Sequence, residues 1–382
     1  MSDPLYLDYN ATTPIHPEVI ESILPWLRDD FGNPSSTHVY GRRAHAAVER
    51  AREQVAALLG CNPNEMYFTS GGTEANNLAI LGIAEAIGAR RKSVVTSVVE
   101  HPATARPCDR LEEKGWNVTR APVDADCRVS PERVHDFVST DTALVTVMLA
   151  NNETGTLMPI RQLADIAHAS GALMHTDAAQ AVGKVPTRVS DLGVDLLSIA
   201  GHKLYAPKGV GALYVRKGTA IQPVVVGAAH ERGLRPGTEN VPYIVGLGKA
   251  CDIASRDLEA EATRVRALRD MLWELLRAKI PGIRLNGHLT DRLPNTLNVS
   301  FPGVRGMAVL AGAPDVAAST GSACHEGREC PSGVLLSMGL DSAIAWGAVR
   351  LSLGRSSTRE QVHAAGSSLI QAWNEASSDT RR

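Results

Sequence analysis

Short apolar runs alternate with stretches of helical periodicity through the first two thirds of the 382-residue chain. In RRAHAAVERAREQVAALLG the apolar residues Val48, Ala51, Val55 and Leu58 recur at helical spacing, and Gly60 supplies the stop. The runs Met66 to Thr69, Ser93 to Val99, Thr142 to Leu149, Ala172 to Thr176 and Asp195 to Ala200 read as buried strands, and Leu78 to Ile87 as a helix. Such alternation predicts an α/β fold with a mostly parallel sheet. The opening DYNATTPIHPEV has little periodicity and many turn residues, so we expect it to cross the mouth of a cleft. After residue 203 the pattern changes. Asn240 to Lys279 predicts one long helical region leading into a smaller C-terminal lobe, where Asn295 to Phe301 alternates as a half-buried strand and Ala317 to Thr320 forms another.

Composition narrows the function classes. With 39 basic and 41 acidic residues the chain is nearly neutral, which argues against nucleic acid or an anionic membrane as the main partner. No apolar run reaches membrane-spanning length, and MSDPLYLDYN lacks the basic and apolar regions of a signal peptide, so we expect a cytoplasmic protein. Six scattered cysteines do not form a disulfide framework, so a functional cysteine here is reactive rather than structural.

The candidate chemistry collects at strand ends. SIAGHKLYAPKGVG places Lys203 just after a buried strand and before a Gly- and Pro-rich loop, where desolvation lowers an amine's pKa and suits it to a Schiff base. A lone lysine there is more often a surface residue with its stem against a turn. Ser70-Gly-Gly-Thr-Glu opens a helix, and its free N–H groups and dipole suit a phosphate, although such turns are also common for structural reasons. His101 in VEHPA, Asn152 in NNETG, and Asp177 and Gln180 in HTDAAQ follow the next strands. Open α/β sheets bind ligands at the carboxyl ends of their strands, and this convergence favours function. Lysine, an acid for a ring nitrogen, a donor for a phenolate oxygen and a phosphate cradle match one cofactor, pyridoxal 5'-phosphate. Lys203, Asp177, Gln180 and Gly72 with Thr73 fit those roles, and His101 would stack on the ring. In GSACHEGREC the small neighbours of Cys324 leave its sulfur uncrowded, and His325 and Arg328 favour a thiolate. Cys61, Cys108, Cys127 and Cys251 read as inert; His38 and His45 read as surface polar residues.

Taken in order, LDYNATTP, TSGGTEANN, VEHPA, NNETG, HTDAAQAVGK, GHKLYAPKGVG, RPGTEN, STGSACHEG and VRLSLGR resemble the cysteine desulfurases and selenocysteine lyases, in the class V aminotransferase branch of the fold type I pyridoxal enzymes. The resemblance covers nearly the whole chain. It implies a large cofactor-binding domain over 14–257 and a small α+β domain from 1–13 and 258–382 that carries the Cys324 loop. It further implies a homodimer with shared sites. Lys203 would carry the cofactor, with Asp177 at the ring nitrogen, Gln180 at the phenolate and His101 on the ring. Thr73 and His202 would bind phosphate, and Thr238 would do so from the neighbouring subunit. Asn152 and Arg350 would hold the substrate carboxylate.

The leading expectation is desulfuration of L-cysteine to L-alanine, with sulfur passing to Cys324 as a persulfide and then to an acceptor such as an iron-sulfur scaffold protein. Selenocysteine lyase is the alternative. Many desulfurases have serine where this chain has Ala200, and selenocysteine lyases resemble it in having an apolar residue there. Catalytic roles thus fall to Lys203, Cys324 and His101. A third reading, from a different class, is a non-catalytic sulfur or metal carrier using Cys324, His325 and Cys330; three candidate ligands at that spacing match no familiar zinc pattern, and no metal is expected.

Overall fold

A computed structural model describes residues 3–321 and 330–380. Its described strands are β1 (Leu5–Tyr6), β2 (Met66–Thr69), β3 (Ser93–Ser97), β4 (Asn117–Ala121), β5 (Thr142–Thr146), β6 (Leu173–Asp177), β7 (Leu196–Ala200), β8 (Gly211–Val215), β9 (Arg284–Asn286), β10 (Thr296–Ser300), β11 (Val316–Ala317) and β12 (Ala348–Ser352). Seven of them form the main sheet, in the order β2-β8-β7-β6-β5-β3-β4. Neighbours from β7 through β4 run parallel, while β8 is antiparallel to both β7 and β2. The parallel strands β3, β5, β6 and β7 are buried along almost their whole length, as expected of a sheet covered on both faces. Their carboxyl ends consequently open on one edge of the sheet, and the connections from that edge carry the polar motifs.

The strands that read as Ser93 to Val99 and Thr142 to Leu149 leave the regular ladder earlier, at Ser97 and Thr146. Beyond that point Val147 and Leu149 still donate backbone hydrogen bonds to His175 and Asp177, so the apolar pattern persists while the chain bends toward the cleft.

The helix Val241–Lys279 joins the two parts of the molecule. Asn240 caps it by accepting from the Tyr243 N–H. Its first half buries Ile244, Leu247, Ala250 and Cys251 in the core under the main sheet. Its second half buries Val265, Leu268, Leu272 and Leu276 in another apolar cluster with Leu297, Val299, Leu351 and Leu369. That cluster lies against a three-stranded antiparallel sheet, β12-β10-β9, while β1 pairs in parallel with β11.

Two expectations are corrected. The strand expected over Ala317 to Thr320 is the two-residue β11, Val316–Ala317, beyond which Ser319 makes an isolated bridge to Arg350. NTLNVSF is not half-buried: every residue of β10 is buried. Leu297 and Val299 enter the apolar cluster, and the alternate face carries polar residues that pair internally. Asn286 Nδ2 donates to Asn298 Oδ1 at 2.8 Å and to Ser300 Oγ at 2.9 Å, and Asn298 Nδ2 donates to the Glu153 carbonyl at 3.1 Å. The polar positions thus meet the main sheet's loops rather than water. Among the described residues no helix is long and apolar enough to cross a membrane.

Candidate active site

Lys203 ends a tight turn, Gly201–Lys203, that starts where β7 stops. The following chain reverses through Tyr205, whose φ of 67° is left-handed, a conformation costing a non-glycine residue about 1–2 kcal/mol. Thr13 stabilises the reversal: its hydroxyl accepts from the Tyr205 N–H at 2.9 Å and donates to the His202 carbonyl at 3.0 Å. The lysine amine is therefore aimed by a strained turn tied to the N-terminal segment. Its Nζ donates to the carbonyls of Asn10 at 2.5 Å and Ala11 at 2.7 Å. Burial, and then the nearby Arg350 cation, push its pKa down to about 8.

Around that amine is a cavity of about 370 Å³, within the range that holds small cofactors. Asp177, the last residue of β6, contributes a carboxylate fixed at both oxygens: Oδ2 accepts from Asn76 Nδ2 at 2.7 Å and Oδ1 from the Ala179 N–H at 2.9 Å. Gln180 follows, its Nε2 donating to the Asn10 carbonyl at 2.9 Å. His101 caps the helix Pro102–Glu113, its Nδ1 accepting from the Ala103 N–H at 3.1 Å, which leaves Nε2 to carry the proton of the neutral ring. Its side chain stays exposed, yet the protein packed around the imidazole lowers its pKa. His202, whose Nδ1 pairs with the Thr12 hydroxyl at 3.2 Å, is pushed down to about 4 by burial and by Lys203.

The phosphate-binding candidate is the start of the helix Gly72–Ile87. Its cap residue, Gly71, has φ 150° and no side chain to satisfy the first-turn N–H groups, and Gly72 and Thr73 at that turn line the cavity. Ala200 borders the same turn: a Cβ on Gly72 would lie 3.2 Å from the Ala200 Cβ. The residue at 200 is thus next to the cradle, and here it offers no hydroxyl. Arg350, on β12, reaches the opposite side, where Nη2 pairs with Asp8 Oδ1 at 2.8 Å and Nη1 donates to the Asn152 carbonyl at 3.1 Å.

One cavity thereby brings together Gly72, Thr73, His101, Asn152, Asp177, Gln180, His202, Lys203 and Arg350. Thr238 is elsewhere, exposed in a separate cavity of about 180 Å³ with Phe68, Ser70, Gly209 and Arg235. Cys324, His325 and Arg328 lie outside the described residues. The thiols of Cys61, Cys108 and Cys127 are pushed up to about 12 by burial, and that of Cys251 is raised as well. Cys127 is fully buried at a left-handed turn position, φ 65°.

Several contributors carry no signal when read one residue at a time. Asp8, Asn10 and Ala11 come from the turn-rich opening, and the Asn10 carbonyl serves Lys203 and Gln180 together. Glu100, just before His101, has its carboxyl pushed up to about 8 by burial; it accepts from the Met148 N–H at 3.1 Å and from the Ser97 hydroxyl at 2.5 Å. Asn76 braces Asp177, and its Oδ1 is buried with no partner among the described residues, as is Nε of Arg350. Unpaired buried polar atoms beside a cavity of this size, facing an amine, a carboxylate and a helix N-terminus, fit an anionic pyridine aldehyde.

The model of the aminotransferase class-V family matches residues 5–364. The chain belongs to the class V aminotransferase family. Within it the chain groups with the cysteine desulfurases, and the family's cofactor is pyridoxal phosphate. It is 45% identical over 365 residues to cysteine desulfurase IscS of Dictyoglomus turgidum, spanning 95% of this chain and 93% of that protein. With cysteine desulfurase IscS of Methanosarcina thermophila it shares 47% identity over 94% of this chain and 89% of the other. A NifS-like protein of solved structure superposes with a TM-score of 0.91 at 37% identity, covering 97% of this chain and all of that one. SspA, solved in complex with cysteine, superposes with a TM-score of 0.81 at 36% identity over 91% and 98% of the two chains.

Proposed function

We propose that the protein desulfurates L-cysteine, yielding L-alanine and a persulfide on Cys324 that an acceptor protein then takes. The observation that carries this reading is the shared cavity of the Lys203 amine, the Asp177 carboxylate and the Arg350 guanidinium. When bound, the cofactor supplies an aldehyde that condenses with amines and an electron-poor ring that delocalises the electrons of a Cα carbanion. The residues of the chain bind, orient and move protons around it. The N–H groups of Gly72 and Thr73, with His202, hold the phosphate. Asp177, its carboxylate held by two hydrogen bonds, would face the ring nitrogen, Gln180 the phenolate oxygen, and His101 the ring face.

Lys203 has two tasks. With a pKa near 8 the amine is neutral often enough to be the nucleophile that would hold the aldehyde and, once the substrate amine has displaced it, the base at the substrate Cα. Arg350, its position fixed by Asp8, and Asn152 take the substrate carboxylate. Cys324 as thiolate attacks the substrate sulfur: an S–S bond forms as the carbon–sulfur bond breaks, and the bonding pair remains on carbon and is protonated. The active protein is proposed to be a homodimer in which Thr238 of one subunit completes the phosphate site of the other, in the cytoplasm. Its division into 14–257 and 1–13 with 258–382 is likewise proposed, supported by the two apolar clusters that the long helix bridges.

Ala200 favours a second reading, selenocysteine lyase, because the hydroxyl expected of a desulfurase is missing beside the phosphate turn. Steady-state alanine production from cysteine and from selenocysteine distinguishes the two. The desulfurase reading predicts turnover of cysteine that falls at least a hundredfold in Cys324→Ala and in Lys203→Ala. Undiminished cysteine turnover in Cys324→Ala would overturn the persulfide step, and turnover confined to selenocysteine would favour the second reading.

A further inference from the structure

Lys184 lies four residues beyond Gln180, in the run of turns that follows β6, and takes no part in the scheme above. Its Nζ donates to Gln180 Oε1 at 2.9 Å. On the other side, Gln180 Nε2 donates to the Asn10 carbonyl at 2.9 Å. A backbone carbonyl only accepts, so the Asn10 contact fixes the NH₂ end of the amide, and the Lys184 amine donates to the oxygen at the other end. A flipped amide would set its oxygen against the Asn10 carbonyl and its NH₂ against the Lys184 Nζ. The fixed orientation leaves the second N–H of Nε2 for the cavity that Gln180 lines.

The setting shows what this contact overcomes. Lys203 and Arg350 oppose a third cation nearby, and burial pushes the Lys184 pKa down to about 7. The far side of Lys184 borders a small cavity of about 30 Å³ shared with Tyr205, Glu261 and Arg355, enough for one water. In either protonation state the amine keeps an N–H for Gln180.

We propose that Lys184 is a positioning residue: by holding Oε1 of Gln180 it turns the free N–H of that amide toward the phenolate oxygen of pyridoxal phosphate and so tunes the acid–base behaviour of the cofactor carried on Lys203. This rests on the reading that pyridoxal phosphate occupies the cavity with Gln180 at that oxygen. A donor to the phenolate stabilises its negative form and weakens its hold on the neighbouring protonated nitrogen. Loss of the donor therefore raises the pH at which that nitrogen gives up its proton.

The test is a pH titration of the visible absorbance of the cofactor-loaded protein in wild type, Lys184→Met, Lys184→Arg, Gln180→Ala and the double variant Lys184→Met/Gln180→Ala. The midpoint is expected to rise by about one pH unit in Lys184→Met, as the size of a lost hydrogen bond to a charged group implies. It should stay near wild type in Lys184→Arg, and the double variant should match Gln180→Ala alone, because Lys184 acts through the amide. A folded Lys184→Met with the wild-type midpoint overturns the proposal. So does a further full shift in the double variant, which would mean that the charge acts directly. If methionine at 184 does not fold, Lys184→Ala with added ethylammonium serves: the amine returns the midpoint to wild type if positioning is correct and leaves it unmoved if not. A wild-type protein without a visible band that depends on Lys203 would instead refute the reading of the site, whereas an intact band with an unmoved midpoint refutes only the role of Lys184.

Discussion

At the scale of single residues, the reactivity of Lys203 follows from what surrounds its amine. Burial is the larger cause of its low pKa and the Arg350 cation the second, while Asp8 and Asp177 oppose both. With a pKa near 8, about one amine in ten is neutral at pH 7, against fewer than about one in a thousand for an ordinary lysine. Uptake of pyridoxal phosphate by the cofactor-free protein should therefore accelerate about tenfold per pH unit up to pH 8 and level off above it, because only the neutral amine attacks. Stopped-flow absorbance across pH 6 to 10 checks this; a rate still climbing at pH 10 would show that the cavity does not shift the amine.

At the scale of elements, the site is a set of strand ends held in register, and its weakest tolerance is where β8 passes the phosphate turn. A Cβ on Gly211 would lie 2.5 Å from the Ile199 carbonyl oxygen and 2.7 Å from Gly71 Cα, so backbone has to move. Gly211→Ala should cost about 1–3 kcal/mol of stability, the usual penalty for overpacking, and weaken cofactor binding because the displaced neighbour is the cap of the phosphate-binding helix. Denaturant melts and a cofactor titration measure the two effects; unchanged affinity would place the cradle elsewhere. The strands and the phosphate turn were legible in the sequence because periodicity and turn residues are local signals. Lys203, Asp177, Gln180 and His101 were legible because each follows an apolar run. Asp8, Asn76 and Lys184 were not, since what gives each its role is a partner: Arg350 lies 342 positions from Asp8 and Asp177 lies 101 from Asn76. Even the short Lys184–Gln180 contact gains meaning only when Asn10 arrives from the other end of the chain. The burial of β10 was missed for a related reason: its polar face is covered by another part of the fold, which alternation alone does not reveal.

At the scale of the whole molecule, the N-terminal segment ties the parts together. Leu7 packs in the second apolar cluster, Asp8 pairs with Arg350, and Asn10 and Ala11 accept from Lys203. The amine and the guanidinium are thus referenced to one stretch of backbone, although they stand on different sheets. Thr238, by contrast, lies outside the Lys203 cavity of its own chain, and its proposed role requires a second copy. Lys203→Ala and Thr238→Glu chains should each be inactive alone, yet regain about a quarter of wild-type activity when co-expressed, since half of randomly paired dimers are mixed and each of those holds one intact site. A mixture as inactive as its parents would mean that sites are not shared.

The most direct measurement of the central claim is borohydride reduction of the cofactor-loaded protein followed by peptide mass mapping. The account predicts a pyridoxyl phosphate group on the peptide containing Lys203 and its loss in Lys203→Ala. A label on the Lys184 peptide of the wild-type protein, or no label on any lysine, would contradict it.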